Sequence, residues 1–370
     1  MAALPRDSRL GGPHQSQPDA GAGRLKQHGA VPPAPTFTSD AMSGYTESTL
    51  RELIARHVGA ARVPAQFKII SDTSNFFAVD YGDVVVLADH AYLVRGYEKE
   101  GRFGLDDEPK YWVRRAIDLA DGSSKIIKLV YHEQFQTQYG EMSITCFRSP
   151  KKEARILDLV AADPRFMHGR WIEDTAGNVV RILEVIPGRR FDEIVGELCT
   201  DHTDYFQHHL PGILDQYIEL VGAIKFLHDH GEKHGDIRRD HILFDRELKI
   251  NRWIDFDYNY QHGESMFGLD LRGLGNILIF IVGGGDILVA DLRNKQRAIL
   301  DTLCDADMSM AFKNRVANLR KVFPYLPESL NRVLLHFSQG AQLFYDNTTQ
   351  LLEDLGAARA DLPTPTGSTT

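Results

Sequence analysis

The feature that most constrains this chain is a change of texture at Pro187-Gly188. Before that point, short apolar runs alternate with turn residues. They fall at Val84–Leu87, Tyr92–Val94, Trp112–Ile117 and Ile126–Tyr131, and Ala120-Asp-Gly-Ser123 supplies a hairpin turn between the last two. A second hairpin is expected from Arg170–Glu173 through Thr-Ala-Gly-Asn to Val179–Ile186. Two helices interrupt the strands. One is expected from about Thr49, with a capping box completed by Glu52 and an apolar face of Leu50, Leu53, Ile54 and Val58. The other is expected over Pro150–Val160, with Pro150 in its first turn. After Gly188 the apolar spacing turns helical: Leu214, Tyr217, Ile218, Val221 and Ile224 share one face, as do Leu330, Val333, Leu334, Phe337 and Ala341. Strands segregated from helices predict an α+β fold, not a doubly wound sheet.

The 370 residues allow two domains or one bilobal unit. The expected division is an arm over 1–45, an accessory helix and strands over 46–91, a β-rich lobe over 92–186, a helical lobe over 187–360 and a tail over 361–370. Residues 1–36 hold no aromatic residue and are crowded with Gly, Pro, Ala, Ser and Gln. Such a segment cannot bury enough apolar surface to offset its ordering entropy, so the arm is expected to be disordered, and it is a candidate partner-binding segment. The net charge of −9 argues against a sequence-blind nucleic-acid binder. Three scattered cysteines build no disulfide framework. Leu274–Ala290 is broken by Asn276, four glycines and Asp286, and the first residues lack a charged start followed by an apolar run. The expectation is a cytoplasmic protein with no membrane and no nucleic-acid partner.

Chemistry concentrates in His234-Gly-Asp-Ile-Arg-Arg-Asp-His-Ile-Leu-Phe244 and Trp253-Ile-Asp-Phe-Asp257. Asp236 and Asp255 lie nineteen residues apart, and Ile242–Phe244 with Lys249–Ile254 suit a hairpin between them. That hairpin brings both carboxylates to one end of a small sheet. There one can orient a nucleophile and the other can hold a divalent cation, as phosphoryl transfer requires.

These two segments resemble the catalytic loop and metal motif of the protein kinase-like superfamily, and the resemblance runs over about residues 92 to 355. It implies a bilobal kinase-like fold. Asp236 would accept the hydroxyl proton, Arg238 would stand where a lysine usually steadies the γ-phosphate, and Asp255 would bind metal. Ile126-Ile-Lys128 resembles the third-strand lysine motif, so Lys128 would contact the α- and β-phosphates and Glu153 on the next helix would pair with it. Gly101-Arg-Phe-Gly104 resembles the second half of the glycine-rich flap, which implicates Gly101, Phe103 and Gly104 in nucleotide binding. Leu183-Glu-Val-Ile186 resembles the adenine-binding hinge, which implicates Glu184 and Ile186. Asp270 resembles the helix aspartate that braces the catalytic loop. The implied cofactors are ATP and Mg²⁺ or Mn²⁺.

The departures from that pattern are informative. His241 replaces the asparagine that binds a second metal; neutral imidazole suits Mn²⁺ better than Mg²⁺, and the alternative is a hydrogen-bonding role alone. Asp257 replaces a glycine, and either adds a carboxylate to the cation site or faces solvent. Only fifteen residues separate Asp255 from Asp270, and no Ala-Pro-Glu lies between, so a conventional activation segment does not fit. Lys99 stands where the first flap glycine would be, and the acidic run 106–108 follows the flap. His228-Asp-His-Gly-Glu-Lys-His234 matches no zinc spacing, and Gly283-Gly-Gly285 reads as a helix terminator. The leading expectation is a Ser/Thr protein kinase-like phosphotransferase acting on a protein substrate. The alternatives are a pseudokinase that binds nucleotide or scaffolds without turnover, and a small-molecule kinase.

Overall fold

The computed structural model describes residues 44–100, 108–139, 142–261 and 265–364. All of them lie in one unit, Ala41–Thr370. Nearly all of the expected arm, and the last six residues of the expected tail, lie outside the described residues. Within that tail Leu362 is buried against the helical core, so packing continues past Ala360.

The chain opens with α1 (Glu47–Val58), β1 (Ile69–Ile70), β2 (Val84–Leu87), β3 (His90–Glu100), β4 (Glu108–Asp118) and β5 (Ser124–Lys128). A hairpin of β6 (Gln134–Tyr139) and β7 (Met142–Arg148) leads directly into α2 (Pro150–Leu159), followed by β8 (Gly169–Glu173) and β9 (Val179–Glu184). A seven-stranded sheet runs β1-β2-β3-β4-β5-β9-β8. The strands of the accessory stretch 46–91 therefore lengthen this sheet. β2 pairs antiparallel with β3, Val84 opposite Leu93, and β1 adds in parallel. Leu50 and Ile54 of α1 are fully buried among Val84, Val86, Leu93 and Leu119. Thr73 sends its backbone N–H and its hydroxyl to Asp174 Oδ2, at 2.6 and 2.7 Å, and so ties this extension to the β8–β9 turn.

The cap of α1 differs from expectation. Thr46 is the N-cap, and its reciprocal partner is Thr49 and not Glu52. The Thr49 N–H reaches the Thr46 hydroxyl, while the Thr49 hydroxyl oxygen accepts from the Thr46 N–H at 2.9 Å. A hydroxyl at the third helical position closes the box as a carboxylate would, so the helix starts earlier.

The helical half contains β10 (Gly188–Arg190), α3 (Phe191–Leu198), α4 (His202–His208), α5 (Leu210–Asp229), β11 (Ile242–Asp245), β12 (Ile250–Trp253), β13 (Tyr258–Gln261) and α6 (Gly268–Gly283). Helices Val289–Lys295, Arg297–Leu300, Glu328–Leu335 and Thr348–Ala360 complete it. β11 and β12 form the expected hairpin, Ile242 opposite Trp253. Gly284, with φ +61°, caps α6 in the left-handed conformation that glycine tolerates. The late helix stops at Leu335, short of Phe337 and Ala341. There the Phe337 carbonyl accepts from the Met310 N–H, and the Gln339 N–H donates to Met308, so the backbone has left the helix for a bridge.

Three strands not expected from the sequence, β6, β7 and β13, form a separate three-stranded sheet in the order β13-β7-β6. Ile144 and Cys146 alternate with polar residues and bury against Tyr260. That period-two pattern was the available signal. α2 joins the lobes, because Ile156, Leu157 and Val160 belong to the same buried core as Leu220, Leu227 and Phe256. If α1 is part of the sheet's core, Ile54→Ala should cost about 2–5 kcal/mol, read as a lower urea midpoint. A loss below about 1 kcal/mol would detach α1 from that core.

Candidate active site

β5 ends on Lys128, and its partner strand in the sheet carries Arg181 directly opposite. α2 starts at Ser149, whose hydroxyl caps the Lys152 N–H, and the first turn delivers Glu153 to the same point. Lys128 Nζ lies 2.8 Å from Glu153 Oε1, 2.7 Å from Asp255 Oδ1 and 3.1 Å from Asp257 Oδ2. Arg181 Nε holds the other Glu153 oxygen at 3.0 Å, and Lys110 Nζ reaches Asp255 Oδ2 at 3.2 Å. The Lys128 side chain is only 5% exposed. Burial alone would lower its pKa, but Asp255, Asp257 and Glu153 outweigh burial and raise it. Asp255 is likewise held well below the usual carboxylate range, since Lys128, Lys110 and His241 overcome its own desolvation.

Asp257, which the sequence left as either an added carboxylate at the cation site or a solvent-facing group, does not face solvent. It is buried, and Arg148 Nη1 donates to both of its oxygens at 2.9 and 2.8 Å. Arg148 Nε in turn binds Glu133 Oε2 at 2.8 Å, and its guanidinium lies over the Tyr258 ring at 4.1 Å. The strand after Asp257 is fixed too, with Tyr258 opposite Arg148 and Tyr260 opposite Cys146.

Asp236 sits at the turn before β11, its side chain 21% exposed. Burial raises its pKa, and the opposing pull of His241 and Arg238 does not cancel that. His241 Nδ1 is 2.9 Å from the Asp236 carbonyl oxygen, which can only accept. In the neutral ring the proton is then on Nδ1, and Nε2 keeps its lone pair 3.8 Å from Asp255 Oδ2. One carboxylate oxygen and one imidazole nitrogen fit a divalent ion that takes its other ligands from phosphates and water. Among the described residues no group of three or more His, Cys, Asp or Glu side chains could hold an ion unaided.

The loop is braced from below. Asp270 accepts from the backbone N–H groups of His234 and Gly235 at 2.7 and 2.9 Å, and its contact with His228 Nε2 is 3.1 Å. Burial would raise the Asp270 pKa; the His228 hydrogen bond and the nearby Lys152 ammonium outweigh it, and the pKa is lowered. His234 is fully buried and pushed down to about 3 by that burial, so it is a neutral ring beneath the loop. Lys152, unremarked in the sequence, donates to the carbonyls of His234, Phe256 and Tyr258 at 2.7, 3.0 and 2.6 Å.

The structure thus gathers Lys128, Glu153, Asp236, His241 and Asp255 in one cluster of close contacts. Arg238 is turned onto Asp240, with Nε–Oδ1 at 3.0 Å and Nη2–Oδ2 at 2.5 Å. Glu184 ends β9, its N–H donating to the His168 carbonyl, and Ile186 packs against the helical core. Gly101, Phe103 and Gly104 lie outside the described residues.

With the Lys128–Glu153 pair between strand and helix, and Asp236 and Asp255 flanking a short hairpin, the α+β arrangement resembles a protein kinase-like fold. No protein-family model matches the chain. It is 24% identical over 234 residues to a Caenorhabditis elegans protein described as ribosomal protein S6 kinase alpha-2, covering 62% of this chain and 23% of that one. It is 22% identical over 192 residues to a Mus musculus sperm motility kinase, Tcr mutant form, covering 43% of this chain and 40% of that one. The chain therefore spans less than half the length of these curated relatives. The kinase domain of Mycobacterium tuberculosis PknI superposes with a TM-score of 0.45 at 13% identity, over 76% of this chain and 99% of that one. No helix among the described residues is long and apolar enough to cross a membrane.

Asp270→Asn would keep the shape and remove the charge that two backbone N–H groups share. The expected loss is about 2–4 kcal/mol near neutral pH. Because the folded pKa of Asp270 is lowered, its contribution is complete above about pH 4 and drains away as the pH falls through the folded value. The wild-type advantage over the variant, measured by denaturant melts across pH, should shrink in acid. An advantage independent of pH would contradict the charge argument.

Proposed function

We propose that the cleft binds ATP and transfers its γ-phosphoryl group to a protein Ser or Thr hydroxyl. The observation that carries this reading is the Lys128 ammonium held by Glu153 and Asp255 at 2.8 and 2.7 Å, in the same cleft as Asp236. A cation fixed in that way is positioned for the α- and β-phosphates, with the adenine against the backbone at Glu184–Ile186. Asp255 and His241 Nε2 would hold Mg²⁺ or Mn²⁺, which when bound neutralises charge on the phosphate oxygens.

The Asp236 carboxylate aligns the acceptor. The hydroxyl oxygen bonds to the γ-phosphorus, the bond from that phosphorus to the β–γ bridging oxygen breaks, and ADP leaves. The hydroxyl proton passes to Asp236. Arg238, two residues on and paired with Asp240, is the nearby cation for the charge that develops. Positioning and fixed charge supply the acceleration, so the reading rests on few groups.

A small-molecule acceptor is the second reading. The chain passes from Asp255 into β13, which is paired to β7, and enters α6 at Gly268, leaving little platform for an extended peptide.

Asp236→Ala should cut transfer by about 10²–10⁴ while leaving nucleotide affinity unchanged. Intact-mass spectrometry after incubation with ATP and Mg²⁺ or Mn²⁺, beside a nucleotide titration, checks both. Near wild-type transfer by the variant removes Asp236 from the mechanism. A wild-type chain that binds nucleotide but transfers nothing, to protein or small hydroxyl acceptors, is a binding module.

A further inference from the structure

The helix that carries Glu153 is fastened to the opposite side of the cleft in a way the proposed chemistry does not require. Its residue Lys152 is 1% exposed, and its three N–H donors meet three backbone carbonyls: His234 of the catalytic loop, and Phe256 and Tyr258 around the metal motif. An ammonium has three donors and no acceptor, so this site saturates it. Burial pulls its pKa down to about 8, which still leaves it charged at neutral pH.

Gly235 makes the arrangement possible. Its φ is +86°, and a Cβ there would collide with the Tyr258 carbonyl oxygen and stand 3.1 Å from Lys152 Nζ. No larger side chain fits between loop, strand and ammonium.

Three further attachments converge on the start of the same helix. The Ser149 N–H donates to the Asp257 carbonyl at 2.7 Å. β7, which runs into α2, is paired to β13, which leaves the metal motif. Arg155 on the next turn of the helix binds Glu232 Oε1 at 2.9 Å. Below them Ile156, Leu157 and Val160 sit in the core of the helical lobe. A helix able to swing away from Lys128 would have to break all of these together.

We infer that Lys152 is a positioning residue: by tying α2 to the catalytic loop and the metal motif, it keeps the Glu153–Lys128 pair assembled with no nucleotide bound. This rests on the reading of the cleft as a phosphotransfer site. Lys152 touches neither Lys128 nor Glu153 through its ammonium and acts only by fixing where the helix sits.

The test uses the full chain. Hydrogen exchange over residues 150–159 in the nucleotide-free wild type should be as slow as over α5, and should not slow further with ATP and Mg²⁺. Fast exchange that ATP suppresses would overturn the inference, and this measurement needs no variant and no turnover. Lys152→Met should speed exchange in 150–159 and in 255–261 together, leaving α1 unchanged.

If the helix is then correctly placed in only about a tenth of molecules, the KM for ATP rises about tenfold and kcat recovers at saturating ATP, because nucleotide selects the assembled state. Lys152→Gln, which keeps two donors, should fall between wild type and Met. A variant that loses kcat at unchanged KM has simply lost folded molecules, and Lys152 is then structural. A wild-type chain that transfers no phosphate sinks the phosphotransfer reading, while the exchange data still decide whether α2 is anchored.

Discussion

An ammonium that is 5% exposed needs anions, and Lys128 has three, supplied by two parts of the chain. Glu153 comes from α2, and Asp255 and Asp257 from the segment after β12. Around them Arg181, Lys110 and Arg148 balance the carboxylates, and Glu133 balances Arg148. Removing one partner from a buried pair costs about 3–5 kcal/mol because the survivor stays desolvated. The sheet, α2 and the catalytic hairpin therefore have to meet at this point. Four cations and four carboxylates form one network, so a change at one member alters the charge balance around its neighbours.

The residue in place of the motif glycine belongs to that network. Asp257 trades backbone freedom for an ion pair with Arg148, and Arg148 is the last residue of the strand that accepts β13. The short segment after the metal motif is thereby made into a strand, where a longer one would be a mobile loop. Glycine at 235 and lysine at 152 complete the same design from the other side: the glycine opens space, and the lysine fills it with a charge that binds carbonyls. Asp255 itself sits at φ +62°, a left-handed conformation uncommon outside glycine, though aspartate enters it more readily than most residues. It persists because Lys128 and Lys110 grip both of its oxygens.

Much of the fold was legible in advance. The β-rich half, the helical half, the hairpin between Asp236 and Asp255, and the placement of Pro150 in a first turn all follow from local pattern, and local pattern is what period and turn chemistry encode. The three-stranded sheet beside the cleft was less legible. Its strands lie in separate stretches of sequence, and their pairing, Tyr258 opposite Arg148, is a long-range choice that periodicity does not report. The cap of α1 was misread because a threonine does the work expected of Glu52.

The sequence by itself determined which groups were available for chemistry, since Lys128, Glu153, Asp236, His241 and Asp255 stand out by type, order and spacing. Only the tertiary structure decided what the departures mean: Asp257 is a buried ion-pair partner, Arg238 rests on Asp240, and Lys152 welds helix to loop. The reason is that ionic contact and close backbone approach depend on distances of about 3 Å between atoms far apart in the chain. No spacing along the sequence fixes such distances. Packing does.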